Sequence, residues 1–208
     1  MSASALSVNA GSVRTVPYNG KDVVTGIFKQ PVAGPVAVAG VNLTGDDQAD
    51  RSVHGGPDRA VYAYASEDYA WWKRELGRDV LPGTFGENLT TQGVDVNAAL
   101  VGERWRIGTA VLQVTTPRFP CYKLAMKMDD PTFVKVFSAA LRLGSYMRIV
   151  TEGTLERGDD IEVVHRPSHA MTIGEMSKIY LFERERLREL LVPDIPDEWR
   201  QWIVEHAH

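Results

Sequence analysis

Between residues 23 and 166 the apolar positions fall in short runs broken by glycine and proline. Residues 23–27 and 36–41 are valine-rich and separated by Pro31, Gly34 and Pro35; residues 60–64 form a third run. Runs at 105–107 and 110–115 flank Gly108-Thr109, a two-residue link with glycine first, which suits a type II′ hairpin. Runs at 146–151 and 161–165 flank a second turn region holding Gly153, Gly158, Asp159 and Asp160. Many short strands at this spacing predict a barrel or sandwich rather than an alternating βαβ sheet.

Helical spacing interrupts the strands twice. Ser66 can cap a helix through Trp71, Trp72 and Leu76 that stops at Gly77. Asp130-Pro131 reads as the start of another, through Phe133, Val136, Phe137 and Leu141 to Gly144. After Pro167 the pattern becomes helical throughout. Thr172 and Glu175 form a capping box ahead of Met176, Ile179 and Tyr180, and residues 182–191 and 197–207 read as two further helices split by Pro193 and Pro196. The expected organisation is a flexible tail over 1–22, a mainly β domain with inserted helices over 23–166, and a small three-helix subdomain over 167–208. Trp199 and Trp202 on the last helix are expected to pack onto the β domain.

The chain has 208 residues, 44% hydrophobic and 24% charged, which places it among globular proteins of one domain with a small appendage. A net charge of −4 argues against a nucleic-acid polymer as partner. A single cysteine excludes an internal disulfide, a zinc ribbon and a four-thiolate iron–sulfur centre. No run of apolar residues approaches membrane-spanning length, and the Ser-, Ala- and Val-rich start lacks the layout of a secretion signal. The expected location is the cytoplasm, without membrane association.

Several common motifs are missing. No two glycines stand two positions apart, so the dinucleotide fingerprint cannot occur. Gly20-Lys21 is followed by Asp22, which rules out a phosphate loop there, and no serine sits in a nucleophile elbow. His165 and His169 have the spacing of a zinc helix, but Pro167 breaks it, and both read as ordinary polar residues. Asp46, Asp47 and Asp50 read as a solvated turn, since the glycine and terminal glutamate of a calcium loop are absent.

The informative segment is Thr116-Pro117-Arg118-Phe119-Pro120-Cys121-Tyr122-Lys123. It follows a predicted strand and precedes a helical turn, with two prolines fixing the backbone ahead of Cys121. Backbone N–H groups at a helix start favour a thiolate over a thiol. From Arg104 to Met128 there are five Arg and Lys and no Asp or Glu, a candidate anion site on an acidic protein. Read alone, the same residues also describe a buried small side chain and a solvated basic sheet face.

Three further segments carry candidate donors. Arg51-Ser52-Val53-His54-Gly55-Gly56-Pro57-Asp58-Arg59 pairs close-approach glycines with a histidine and two arginines. Gly83-Thr84-Phe85-Gly86-Glu87-Asn88-Leu89 places Glu87 and Asn88 at a strand entrance, where Glu87 is either catalytic or structural. Gly26-Ile27-Phe28-Lys29-Gln30-Pro31 ends a strand on a lysine.

In this order, from residue 23 to the C-terminal helices, these segments resemble the MOSC family, and within it the hydroxylaminopurine-resistance proteins of the YiiM type. The resemblance implies an α+β fold: a MOSC-type β-barrel domain followed by a three-helix C-terminal subdomain. It implies binding of the molybdenum cofactor, a pterin (molybdopterin) with a dithiolene and a phosphate. Cys121 matches the position whose thiolate ligates the metal and serves catalysis, while Lys29, Arg51, His54, Gly55, Gly56, Asn88 and Arg118 fall in the cofactor-binding segments. Arg59 stands where many relatives carry lysine.

By similarity to amidoxime-reducing enzymes, the implied reaction is the detoxifying reduction of small N-hydroxylated compounds, such as base analogues and amidoximes. The chain shows no flavin or nicotinamide site, so electrons are expected from a separate, flavin-type reductase. Two alternatives stay open from sequence. One is a sulfur carrier or cofactor-assembly protein holding a persulfide on Cys121. The other is a barrel that binds an anionic metabolite without chemistry.

Overall fold

The computed structural model describes residues 2–49 and 55–207. In chain order the elements are β1 (Ser4–Ala10), β2 (Arg14–Tyr18), β3 (Lys21–Thr25), β4 (Gln30–Pro31), β5 (Val36–Ala39) and β6 (Asn42–Leu43). A 3₁₀ turn at Pro57–Arg59 leads into β7 (Val61–Ala65), followed by α1 (Glu67–Leu76) and β8 (Leu89–Gln92). Next come β9 (Arg104–Ile107), β10 (Ala110–Pro117), α2 (Tyr122–Met128), α3 (Phe133–Ala140), β11 (Ser145–Thr151), β12 (Gly153–Leu155) and β13 (Ile161–His165). The chain ends with α4 (Ile173–Phe182), a 3₁₀ helix at Arg184–Leu190, and α5 (Asp197–His206).

Eight strands form one sheet in the order β13-β9-β10-β11-β7-β8-β1-β4. Only β7 and β8 pair in parallel, which requires the crossover that α1 supplies between them. The expected hairpin is present: Ala110 pairs with Ile107 across Gly108-Thr109. At the far side, Ser4 bridges Asp160, and the Ile161 N–H donates to Ala3 O at 2.8 Å. The sheet therefore curls until β1 meets the entrance of β13. Strands β12, β5 and β6 form a second small sheet, and β2 and β3 a separate hairpin. The class is α+β, as the family resemblance implied.

The N-terminal expectation is corrected. Residues 4–10 are not a tail but a strand inside the large sheet, paired with β8 and β4. Ala5 and Val8 enter the core, while the polar residues that read as solvated are buried and satisfied internally. Ser7 Oγ donates to Asn9 Oδ1 at 2.8 Å, and Asn9 Nδ2 donates to Thr90 Oγ1 at 3.1 Å. A buried polar group is tolerated when it is hydrogen-bonded, and local sequence does not reveal a partner 81 positions away.

The helices start and stop close to where their signals lie. Gly77 takes the left-handed conformation beyond α1, and Thr172 Oγ1 accepts the Glu175 N–H at 3.0 Å ahead of α4. Helix α3 starts one turn after Asp130, whose Oδ1 accepts the Thr132 N–H at 2.8 Å and the Thr132 hydroxyl at 2.7 Å, and it stops at Leu141, which takes the left-handed turn before Gly144. The segment after residue 166 has no core of its own. Ile173, Met176, Ile179, Leu190 and Ile203 belong to the same buried cluster as Trp105 and Leu112 of the sheet. A second cluster, mainly aromatic, joins Tyr62, Tyr64, Trp72, Phe85, Phe133 and Phe137 on the other side. Among the described residues no helix is long and apolar enough to cross a membrane.

Candidate functional site

One cleft, about 650 Å³ including its open mouth, gathers residues from five separate segments. Lys29 comes from the loop after β3, Asp46 from the turn after β6, Arg59 from the 3₁₀ turn, Asn88 from the entrance of β8, and Arg118, Cys121 and Lys123 from the link into α2. Tyr62 and Tyr146, register partners on β7 and β11, complete the lining. Four of the eight residues expected for the site, Lys29, Asn88, Arg118 and Cys121, thus line one cavity.

Asp46 organises one side. It accepts from Lys29 Nζ and, at 3.0 Å, from the Gly11 N–H; Asn88 Nδ2 donates to its other oxygen at 2.8 Å. The solvated-turn reading of this aspartate is therefore corrected: its side chain is 3% exposed. Burial lowers the Lys29 pKa, and Asp46 works against that by holding the ammonium charged. Asn88 is fixed by the Tyr62 N–H, which donates to its Oδ1 at 3.1 Å.

The other side is built around Arg118. This residue is 5% exposed, yet its Nη1 finds no hydrogen-bond partner among the described residues. Burial disfavours its charge, but Tyr146, Tyr62 and Cys121 more than offset that and hold its pKa above the ordinary value. Burial pushes both phenols upward, so they line the cleft in neutral form. Cys121 is part-exposed, unpaired, and extended at φ −130° immediately ahead of α2.

The turn at 83–87 explains its glycines by close packing. A Cβ on Gly83 would lie 2.6 Å from Lys29 O, and one on Gly86 would lie 2.7 Å from Ile27 Cγ1. Both glycines also have φ of +84°, a conformation side chains disfavour. Glu87 is the post of this turn rather than a cleft residue. It accepts from the Gly83 N–H at 2.7 Å, the Phe85 N–H at 3.0 Å and the Tyr69 hydroxyl. Burial raises its pKa against those hydrogen bonds. Lys127 staples the turn to the lysine loop by donating to Ile27 O at 2.9 Å and to Gly83 O; burial lowers its pKa to about 8.

The remaining expected residues stand differently. Gly55 and Gly56 lie just behind the lining: Gly55 O accepts from Arg59 at 3.3 Å, and the Gly56 N–H donates to Gln48 Oε1 at 3.0 Å. Arg51 and His54 fall outside the described residues. The basic run from 104 to 128 divides, because only Arg118 and Lys123 reach the cleft. Arg106 pairs with Glu162 on the exposed sheet face at 2.7 Å, and Arg104 lines a separate polar groove beside Asp194. His169 accepts from the Met171 N–H and stands 3.9 Å from Asp194, while His165 is exposed. Arg59, Lys123, Asp46 and Tyr146 were not singled out as site residues by sequence; Arg59 and Lys123 sat inside informative segments, but nothing local marks the other two.

Fold and cleft together define an α+β protein that presents one cysteine inside a mainly cationic, tyrosine-lined cavity. The MOSC domain profile matches residues 50–162. The chain is 35% identical over 201 residues to the uncharacterized protein YflK of Bacillus subtilis, covering 95% of this chain and 91% of that protein. It is 33% identical over 180 residues to a protein named "Reductase" from Gibberella moniliformis, covering 84% of this chain but only 31% of that longer one. The crystal structure of YiiM from Geobacillus stearothermophilus superposes with a TM-score of 0.82 at 31% identity, over 99% of this chain and all of that one. The chain belongs to the MOSC domain family and is of the YiiM type within it.

Proposed function

We propose that the cleft binds the molybdenum cofactor through Cys121 and that the protein reduces small N-hydroxylated compounds with electrons from a separate reductase. The observation that carries this reading is the buried Arg118 Nη1, without a hydrogen-bond partner among the described residues, in the same cleft as the chain's single cysteine. A buried guanidinium hydrogen without a partner is costly, and an anionic ligand would relieve that cost.

The donor set suits such a group. A thiolate is a soft ligand, appropriate to a thiophilic metal, and the pterin dithiolene would supply further sulfurs. Among the described residues no cluster of three or more His, Cys, Asp or Glu could hold a bare ion, which fits a metal carried in by its own organic ligand. Arg118, Lys123 and Arg59 would face the phosphate, a hard anion matched by guanidinium and ammonium groups. Asp46 would offer an acceptor to the polar edge of a pterin, and Asn88, whose amide donates to Asp46 and to Asn9 O, would hold that carboxylate in place. Arg51, His54, Gly55 and Gly56 are carried into this reading from the family resemblance alone, Arg51 and His54 lying outside the described residues.

Bound in this way, the cofactor would supply the two electrons that, with two protons, convert an N-hydroxylated compound to the amine or amidine and water. The chain's own residues fix geometry. Cys121 is held ahead of α2 by carbonyl contacts, its O accepting the Leu124 N–H at 2.9 Å. The neutral phenols of Tyr62 and Tyr146 narrow the cavity around it. The Gibberella relative supports the reductive assignment, since there a unit of this kind forms about a third of a longer chain called a reductase.

The test combines purified holoprotein, a flavin-type reductase, NADPH and an N-hydroxylated base. Turnover that needs both proteins is the expected result. Turnover with NADPH alone contradicts the separate donor. A persulfide mass shift on Cys121 with no bound molybdenum would favour the sulfur-carrier alternative.

A further inference from the structure

The C-terminal helices reach both flanks of the cleft. Phe119, two residues before Cys121, packs on Tyr180 of α4 with ring centroids 4.4 Å apart, and stacks on Trp199 of α5 at 5.6 Å and 28°. Tyr180 and Trp199 are themselves in edge contact at 5.0 Å, which closes a three-ring cluster. One position earlier on α5, Glu198 holds the cleft-lining Arg59, with Nη2 at 3.0 and 3.2 Å from its two oxygens. A single turn of α5 therefore touches the link that carries Cys121 and the cation on the other side.

We propose that Trp199 is a positioning residue for the site: by clamping Phe119 it sets the place of Cys121 in the cleft. The link can transmit that constraint because Pro117 and Pro120 bracket Arg118 and Phe119, removing backbone freedom on both sides of the anchored ring. Phe119 also packs against the aromatic cluster of the sheet, so its ring lies between the two halves of the structure. The helical segment thus acquires a role in the site, beyond the apolar area it buries.

This inference rests on Cys121 being the working group of the cleft, but it is tested without cofactor. The chain has one cysteine, so the rate at which a disulfide reagent titrates the full-length protein reports on Cys121 alone. Trp199→Ala is expected to speed that reaction about tenfold, the scale of one lost aromatic contact, and Trp199→Phe to restore it. Trp202→Ala is the control. Its ring touches Tyr180, Trp199 and His206 and makes no ring contact with Phe119. It removes as large a side chain from the same cluster, yet should stay within about twofold of the native rate.

Equal acceleration in both alanine variants, or none in Trp199→Ala, overturns the proposal. Should Trp199→Ala not fold, Phe119→Ala tests the same contact from the other side, and an unchanged rate there is equally decisive. Failure of the clamp leaves the cofactor reading standing. A protein that never binds molybdenum leaves the clamp standing.

Discussion

Lys29 and Asp46 form an ion pair inside the cleft, with side chains 9% and 3% exposed. Breaking a buried pair from one side leaves the other charge uncompensated, at about 3 kcal/mol. Asp46→Asn is therefore expected to lower unfolding stability by about that amount at neutral pH, as read by urea titration. Adding Lys29→Met to Asp46→Asn should recover more than half of the loss, because the orphaned ammonium is then gone. Two losses that simply add would contradict the pairing.

Arg118 gives the opposite expectation for stability. Its guanidinium is buried with Nη1 unpartnered among the described residues, while Tyr146 and the Tyr62 ring compensate the charge, so Arg118→Met should leave the melting temperature of the cofactor-free protein close to native. Retention of cofactor should fall about tenfold or more, the scale of one lost charge-assisted hydrogen bond. Pterin fluorescence of the protein, purified from a host that makes the cofactor, checks this alongside a thermal melt. Native pterin content in Arg118→Met would remove Arg118 from the site.

Lys127 predicts a pH dependence with a definite sign. Burial lowers its pKa from 10.5 to about 8, so the folded state releases the proton earlier than the unfolded chain does. Between pH 8 and 10.5 the unfolded state holds more protons, and its contribution to stability rises with pH. Below pH 8 both states are charged and the cost of burying the ammonium is constant. The difference in unfolding free energy between native protein and Lys127→Met should be flat below that pH. Above it, the native protein should gain by at most about 1.4 kcal/mol per pH unit. A difference that stays flat to pH 10 would contradict the assignment.

Much of the site was legible in sequence because its chemistry is local. Pro117 to Lys123 spells out a cysteine on a stiffened link with cations beside it, and the 83–89 segment needs its glycines for close approach. What escaped was chemistry whose reason lies far along the chain. Asp46 reads as a turn residue until Lys29 and Asn88, 17 and 42 positions away, are folded against it. Ser7 and Asn9 look like a solvated start until Thr90 satisfies them from the neighbouring strand. Tyr146 carries no local mark, since its role comes from facing Tyr62 across two antiparallel strands. The basic run misled in the other direction: Arg104 and Arg106, two positions apart on β9, share the sheet face opposite buried Trp105 and Ile107, and only Arg118 and Lys123, from the link into α2, reach the cleft.

The central claim is that a single thiol anchors a metal within this cleft. Metal analysis of native protein and Cys121→Ser, both expressed where the cofactor is made, tests it most directly. The account predicts close to one molybdenum per native chain and nearly none in the serine variant, with both proteins folded by circular dichroism. Equal molybdenum in the two, or none in either despite an available cofactor supply, would contradict it.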